Sequence, residues 1–133
     1  MNAVIQRMVT DGMLDETRAA RVQARLDAGE SFDLVVRAET DVSEEALLGY
    51  LAGMLGMEQV DLRREPPDAD VLGRLPARLL LTYELLPLAR NNGTLRVAVS
   101  QPLELPGVDE LRAVCGCRIE CVLAPREEIT RCL

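Results

Sequence analysis

The sequence predicts an α+β fold, in which a small helical bundle precedes a compact α/β subdomain with a sheet of about three strands. Residues 1–56 place apolar side chains at helical spacing, whereas later residues mix helical segments with short alternating apolar runs typical of strands. A proline-rich and charged segment, residues 63–68, lies near the change. We therefore predict a helical subdomain over residues 1–56 and an α/β subdomain over residues 57–133.

The first half contains predicted helices with recognisable ends. The two clearest helices begin after Asp15 and after Ser43, because both side chains are good N-caps. Gly56 ends the second of them. Shorter helices are predicted over residues 4–9 and 32–38.

The second half is predicted to contain a hairpin. Residues 85–88 and 95–99 flank an Asn-Asn-Gly turn, so they should pair as antiparallel strands. Pro87 has no N–H to donate, so it should lie on an edge strand or in a register where no hydrogen bond is needed from it. Leu95, Val97 and Val99 should be buried on one strand face, with Arg96 on the other. The remaining predictions are strands over 59–62 and 118–123 and helices over 69–75, 77–83, 108–114 and from 125.

The basic residues and the net charge exclude several kinds of chemistry. All 15 basic residues are arginine, and the chain has no histidine. Without lysine there is neither a phosphate-binding loop ending in Gly-Lys-Ser/Thr nor a Schiff-base lysine, and without histidine the usual triads and most zinc sites cannot form. A net charge of −7 disfavours nucleic acid. The sequence therefore predicts a protein that is not an enzyme and has no cofactor, metal or nucleic-acid partner.

Four cysteines, Cys115, Cys117, Cys121 and Cys132, crowd the last fifth of the chain. A secreted disulfide framework would spread them more widely, so we expect reduced thiols. A metal site is the alternative, but this spacing is not an established ligand pattern and no histidine can complete it. The sequence shows neither a signal peptide nor a bilayer-spanning apolar stretch, which predicts a cytoplasmic protein.

Two short segments contain candidate partner-binding residues. Phe32, Leu34 and Val35 are apolar positions that we expect to be exposed, although burial in the core is the alternative. Arg63 and Arg64 could bind a carboxylate or phosphate of a partner, although a solvated linker with acidic neighbours is the alternative.

Several short segments of residues 57–133 follow one another in a characteristic order. They are Leu75-Pro76, Leu86-Pro87-Leu88, Gly93 to Val99, Asp109-Glu110-Leu111-Arg112, Cys115-Gly116, Val122-Leu123-Ala124 and Arg126-Glu127-Glu128-Ile129. In order and spacing they resemble the amino-terminal domain of the type II secretion and type IV pilus assembly ATPases. The resemblance implies a helical bundle followed by a small α/β unit. It also implies a non-catalytic protein-protein interaction domain that docks the motor to the cytoplasmic part of an inner-membrane platform protein, with the ATPase domain carboxy-terminal to this chain.

The alternative function implied by the resemblance is that of a cyclic di-GMP-binding regulatory domain. A subgroup of the family binds this dinucleotide through two repeats, each with an arginine and a glycine before a helix and another glycine at a turn. Only the turn glycine of the first repeat, Gly12, is present. The other arginine and glycine positions hold Ala3, Ile5, Ser31, Asp33 and Thr40, and the glutamine that ends each repeat's helix falls on or near Leu26 and Met54. The resemblance therefore predicts that cyclic di-GMP is not a ligand.

Overall fold

The computed structural model describes residues 2–103 and 105–133 and confirms the α+β class. Its elements are α1 Ala3–Thr10, α2 Glu16–Asp27, α3 Phe32–Glu39, α4 Glu44–Leu55, α5 Ala69–Gly73, α6 Ala77–Tyr83, β1 Leu86–Asn91, β2 Thr94–Val99, α7 Pro106–Cys115, β3 Arg118–Leu123 and α8 Arg126–Cys132. Among the described residues, no helix has both the length and the apolar character needed to cross a lipid bilayer.

The chain divides into two compact units, Met1–Leu47 and Leu48–Leu133. The division falls inside α4, which therefore contributes residues to both units. The sequence placed the boundary at the end of this helix, after Gly56, where the chain adopts a positive φ of 66°. Ser43 caps the helix as predicted, because its Oγ accepts a hydrogen bond of 3.1 Å from the N–H of Ala46.

The first unit is built from α1, α2, α3 and the start of α4. Asp15 caps α2 as predicted, since its Oδ1 accepts a hydrogen bond of 2.7 Å from the N–H of Arg18. Charged groups also join α2 to α3: Arg21 and Arg25 lie 3.1 and 3.7 Å from Glu39 carboxylate oxygens. The buried apolar residues of these helices are Ile5, Met8, Ala19, Val22, Phe32, Val35, Val36 and Leu47.

The second unit contains a three-stranded sheet in the order β1-β2-β3, with β1 antiparallel and β3 parallel to β2. The predicted hairpin is confirmed: Asn92 and Gly93 both have positive φ, which is the conformation that a tight hairpin turn requires. Pro87 lies in the edge strand β1, where the pairing register shifts between Pro87 and Ala89. The missing N–H is thus accommodated by a local irregularity.

The central strand β2 is buried on both faces. Leu95, Val97 and Val99 are buried on one face, as predicted. On the other face, Ala98 belongs to a second apolar cluster that includes Val60, Leu62, Leu86, Leu88, Val122, Ala124 and Ile129. Helix α8 contributes Ile129 to this cluster, so the segment before α5 and the last helix both help to cover the sheet.

The predicted strand over residues 59–62 is wrong, because the structure has only a single parallel bridge between Gln59 and Leu123. No strand forms here because a turn begins at Asp61, whose carbonyl oxygen accepts hydrogen bonds from the N–H groups of Arg64 and Glu65. The turn directs the chain away from β3 before a ladder can form. On the opposite edge of the sheet, the Asp68 N–H donates to the Leu88 carbonyl at 2.8 Å.

Candidate interaction surfaces

Helix α3 presents one of its three predicted partner-binding residues to solvent. Leu34 is 50% exposed, but Phe32 is 4% and Val35 is 0% exposed, so the expectation that these two are exposed is wrong. The reason is helical geometry: Phe32, Val35 and Val36 lie at i, i+3 and i+4 and form one inward face. Leu34 lies between them in sequence and points away from that face.

Arg63 and Arg64 belong to the turn that begins at Asp61. The Arg63 N–H donates to Asp61 Oδ1 at 2.9 Å, and this hydrogen bond is the main reason that the pKa of the Asp61 carboxyl lies below its usual value. The Arg63 side chain is 83% exposed and its Nε lies 3.4 Å from the same oxygen. Arg64 is also exposed. The turn therefore holds two guanidinium groups at the surface, and their role in partner binding stays a prediction.

Arg96 lies at the centre of a charge cluster that the sequence did not reveal. Its Nε and Nη2 bind the two carboxylate oxygens of Glu65 at 2.6 and 3.1 Å, while Nη1 binds Glu58 at 2.9 Å and Glu120 at 3.2 Å. Only 17% of the Arg96 side chain is exposed. The hydrogen bonds that Arg96 donates to Glu65 and then to Glu58 raise the pKa of Arg96, and the bond that Glu58 accepts from Arg96 lowers the pKa of Glu58.

This cluster has a structural role. Glu120 is the cross-strand neighbour of Arg96 in the parallel ladder, whereas Glu58 and Glu65 belong to the segment that precedes α5. One guanidinium therefore fastens that segment to the sheet. The sequence predicted that Arg96 lies on the strand face opposite Leu95, Val97 and Val99. No local sequence pattern identifies Glu58 and Glu65 as its partners.

The cysteines differ from the expectation of reduced thiols. Cys115 and Cys117 form a disulfide around Gly116, the left-handed residue that ends α7. This turn brings the two Cα atoms to 5.4 Å, within the range that a disulfide spans. Cys121 and Cys132 are free, and burial raises the pKa of the Cys121 thiol. Within residues 2–103 and 105–133, no group of three or more potential metal-ligand side chains comes together.

Two adjoining cavities lie near the turn of the hairpin. The first has a volume of about 290 Å³ and is lined in part by Arg74 and Arg90. The second is a more open depression of about 930 Å³, lined in part by Arg112 and Arg118. Cys117 lines both cavities. We define these four arginines, which come from α5's C-cap, β1, α7 and β3, as the arginine surface.

A helical bundle followed by a three-stranded mixed sheet with flanking helices defines a class of small α+β domains, and comparisons with known proteins identify its family. Residues 55–133, more than half of the chain, match the MshEN domain family. The chain therefore belongs to the MshEN domain family. A search of the curated proteins finds no sequence that matches this chain.

Solved structures extend the similarity over nearly the whole chain. The structure of MshE with cdg, which is cyclic di-GMP, has a TM-score of 0.82 and 25% identity, covering 98% of this chain and 96% of that one. The amino-terminal domain of XpsE in the I4122 crystal form gives a TM-score of 0.62 over 99% and 95% of the two chains; at 23% identity it shows the fold alone. Another structure of that domain has a TM-score of 0.72 and 26% identity, over 97% and 90%. The resemblance to the amino-terminal domains of type II secretion and type IV pilus ATPases is confirmed.

Proposed function

We propose that this domain is a non-catalytic protein-protein interaction module of a bacterial secretion or pilus-assembly ATPase. It docks the motor to the cytoplasmic part of an inner-membrane platform protein and acts in the cytoplasm, with an ATPase domain following it in the full-length protein. The observation that carries this proposal is the similarity to the MshE structure along 98% of the chain. Fold alone does not define a partner, so the partner is assigned through the family and must be tested directly.

Three of the residues predicted from the sequence are suited to contact such a partner. Leu34 is a large apolar side chain that is half exposed on α3. Arg63 and Arg64 project from a turn whose backbone is held by Asp61, so little chain entropy would be lost on binding. Phe32 and Val35 are buried core residues on the inward face of α3.

The test is a calorimetric titration of the chain of residues 1–133 with the purified cytoplasmic domain of a platform protein. We expect saturable binding, weakened by Leu34→Ser and by an Arg63→Ser/Arg64→Ser double variant. Leu81→Ser is the matched control for Leu34→Ser, because Leu81 is 57% exposed on α6 and is not one of the predicted partner-binding residues. A folded domain that gives no binding to the platform domain would contradict docking.

A phosphate-release assay with ATP should give only the background rate, and hydrolysis by the purified chain would contradict the non-catalytic assignment.

Cyclic di-GMP binding is the second candidate function, and the observation that favours it is the MshE structure with cdg. The residues here oppose it. Ile5 stands at a glycine position of the ligand pattern and is fully buried, and Asp33 adds a carboxylate where a glycine is expected near the phosphates. Thr40, at the second turn-glycine position, has an extended backbone with φ −137°.

A titration with cyclic di-GMP separates the two functions. We expect no saturable heat at micromolar dinucleotide, because an anionic ligand needs guanidinium or free backbone N–H groups close to its phosphates. Saturable binding in that range would favour the regulatory function, while the titration with the platform domain would still test docking by itself.

A further inference from the structure

We propose that the arginine surface, formed by Arg74, Arg90, Arg112 and Arg118, binds an acidic segment of a partner protein in which carboxylates flank an apolar side chain. All four residues belong to the second unit and lie around the two cavities near the hairpin turn. They differ from Arg96, whose guanidinium binds three carboxylates within the domain.

The charge around the two cavities is opposite in sign to the net charge of the chain. The chain has a net charge of −7, yet the charged residues that line the two cavities are four arginines and two aspartates, Asp68 and Asp70. This local excess of positive charge favours an anionic partner and would steer it to this end of the sheet.

The guanidinium groups of the arginine surface are available to bind a partner. Arg74, Arg90 and Arg118 are exposed, and among the described residues none of them has an ion-pair partner. Arg112 binds Asp109 at 2.8 Å, but its side chain is 53% exposed and carries further donors. By contrast, Arg96 has three carboxylate neighbours. The arginine surface therefore has binding capacity that the domain does not use.

The shape and lining of the first cavity indicate what lies between the carboxylates. Val71, Leu75 and Leu95 contribute apolar walls beside Arg74 and Arg90. Its volume of about 290 Å³ is at the lower limit for ligand pockets, and it suits one or two apolar side chains. An apolar residue can occupy this cavity while neighbouring carboxylates reach the arginines, as in the fork-like pairing of carboxylate with guanidinium.

The same residues disfavour a nucleotide. Among the residues that line either cavity, none is aromatic, so a base would find no ring on which to stack. Asp68 and Asp70 line the smaller cavity, and their carboxylates would repel the closely spaced charges of a diphosphate. A peptide can place its acids at the arginines and its apolar group against the apolar walls of the smaller cavity.

The test measures fluorescence polarisation of a short labelled peptide in which glutamates flank two central leucines, titrated with the chain of residues 1–133. The control peptide has glutamine at every glutamate position. The variant Arg90→Gln/Arg118→Gln removes one guanidinium from each cavity. Its matched control, Arg78→Gln/Arg131→Gln, makes the same charge change at two exposed arginines that lie outside both cavities and have no ion-pair partner among the described residues. Urea unfolding midpoints verify that both variants fold.

We expect the glutamate peptide to bind, the glutamine peptide to bind much more weakly, and added salt to weaken binding. Arg90→Gln/Arg118→Gln should lower affinity by about tenfold, and the control variant should leave it within about twofold. Equal loss in both variants, or no binding by the folded chain, would overturn the proposal. Displacement of the peptide by inorganic pyrophosphate at lower concentration than by unlabelled peptide would instead assign the surface to a phosphate ligand. A platform domain that fails to bind leaves these measurements unaffected, so the docking proposal is tested separately.

Discussion

Gly107 in α7 contacts the aromatic ring of Tyr83 in α6 so closely that no side chain can be added to it. A Cβ atom on Gly107 would lie 2.5 Å from Tyr83 Cβ and 2.6 Å from Cδ2, and nearer still to Cγ. The Tyr83 hydroxyl also donates a hydrogen bond of 3.0 Å to Glu110 one turn further along α7. The tyrosine is thus held at both ends, by ring packing and by its hydroxyl, and it fixes the approach of the two helices.

The first prediction is that Gly107→Ala destabilises the domain by about 1 to 3 kcal/mol, because the ring of Tyr83 must move and the helix pair must separate. Urea unfolding followed by circular dichroism measures the change in the free energy of unfolding. Gly53→Ala is the control, since Gly53 lies inside α4 with nothing within 4 Å of the added Cβ. This control should be neutral or stabilising by up to about 1 kcal/mol. Equal effects of the two substitutions would contradict the packing explanation.

The second prediction concerns the charge cluster around Arg96. Arg96→Gln should lower the free energy of unfolding by about 1 to 2 kcal/mol, less than for a fully buried pair because the carboxylates reach solvent. Glu65→Gln should cost more than Glu120→Gln, since Glu65 accepts two hydrogen bonds and Glu120 one at 3.2 Å. Arg90→Gln on the adjacent strand, where no ion pair is lost, is the control for charge removal. Chemical denaturation decides the order, and a larger effect of Glu120→Gln would show that the cluster is arranged differently.

The third prediction is a loss of stability in acid. Arg96 lowers the pKa of Glu58, and the main cause of the lowered pKa of Glu30 is its hydrogen bond with Arg25. A carboxyl whose pKa is lower in the folded state binds protons more readily when unfolded, so its contribution is complete above its unfolded value, near 4.5, and is lost as the pH falls through the folded value. The free energy of unfolding should therefore fall as the pH decreases below about 4.5.

The matched measurement is the same pH series on Arg96→Gln. Without the guanidinium, Glu58 loses the hydrogen bond and the positive charge that lower its pKa. The free energy of unfolding should therefore fall less steeply with decreasing pH than in the unsubstituted chain. Arg25→Gln should reduce the slope in the same direction through Glu30. Identical slopes in all three proteins would exclude these pairs as the origin of the acid sensitivity.

The parts of the fold that the sequence predicts well depend on short-range rules. The hairpin follows from apolar alternation around an Asn-Asn-Gly turn, and α2 and α4 follow from Asp15 and Ser43 as caps. In each case the determining residues are a few positions apart. A single sequence is therefore sufficient for these elements, including the edge position of the strand that contains Pro87.

The interaction surfaces depend on long-range relationships that no local pattern contains. Arg96 binds Glu65 and Glu58, which are 31 and 38 residues away in sequence. The arginine surface likewise combines residues from β1, α7, β3 and the C-cap of α5, and no local sequence pattern indicates it. Helix α3 has only eight residues, with apolar side chains at several neighbouring positions, so its spacing did not decide which of Phe32, Leu34 and Val35 face inward.

The last prediction follows from that inward face. Phe32→Ala should lower the free energy of unfolding by about 3 to 5 kcal/mol, because it removes a buried ring and leaves a cavity among the helices of the first unit. Leu34→Ala, two residues later on the same helix, should change stability by no more than about 0.5 kcal/mol, since its side chain is half exposed. Urea unfolding of the two variants, with the signal taken from helix content, makes the comparison. If Leu34→Ala were the more destabilising of the two, the assigned face of α3 would be wrong, and Phe32 would return as a candidate for direct contact with a partner.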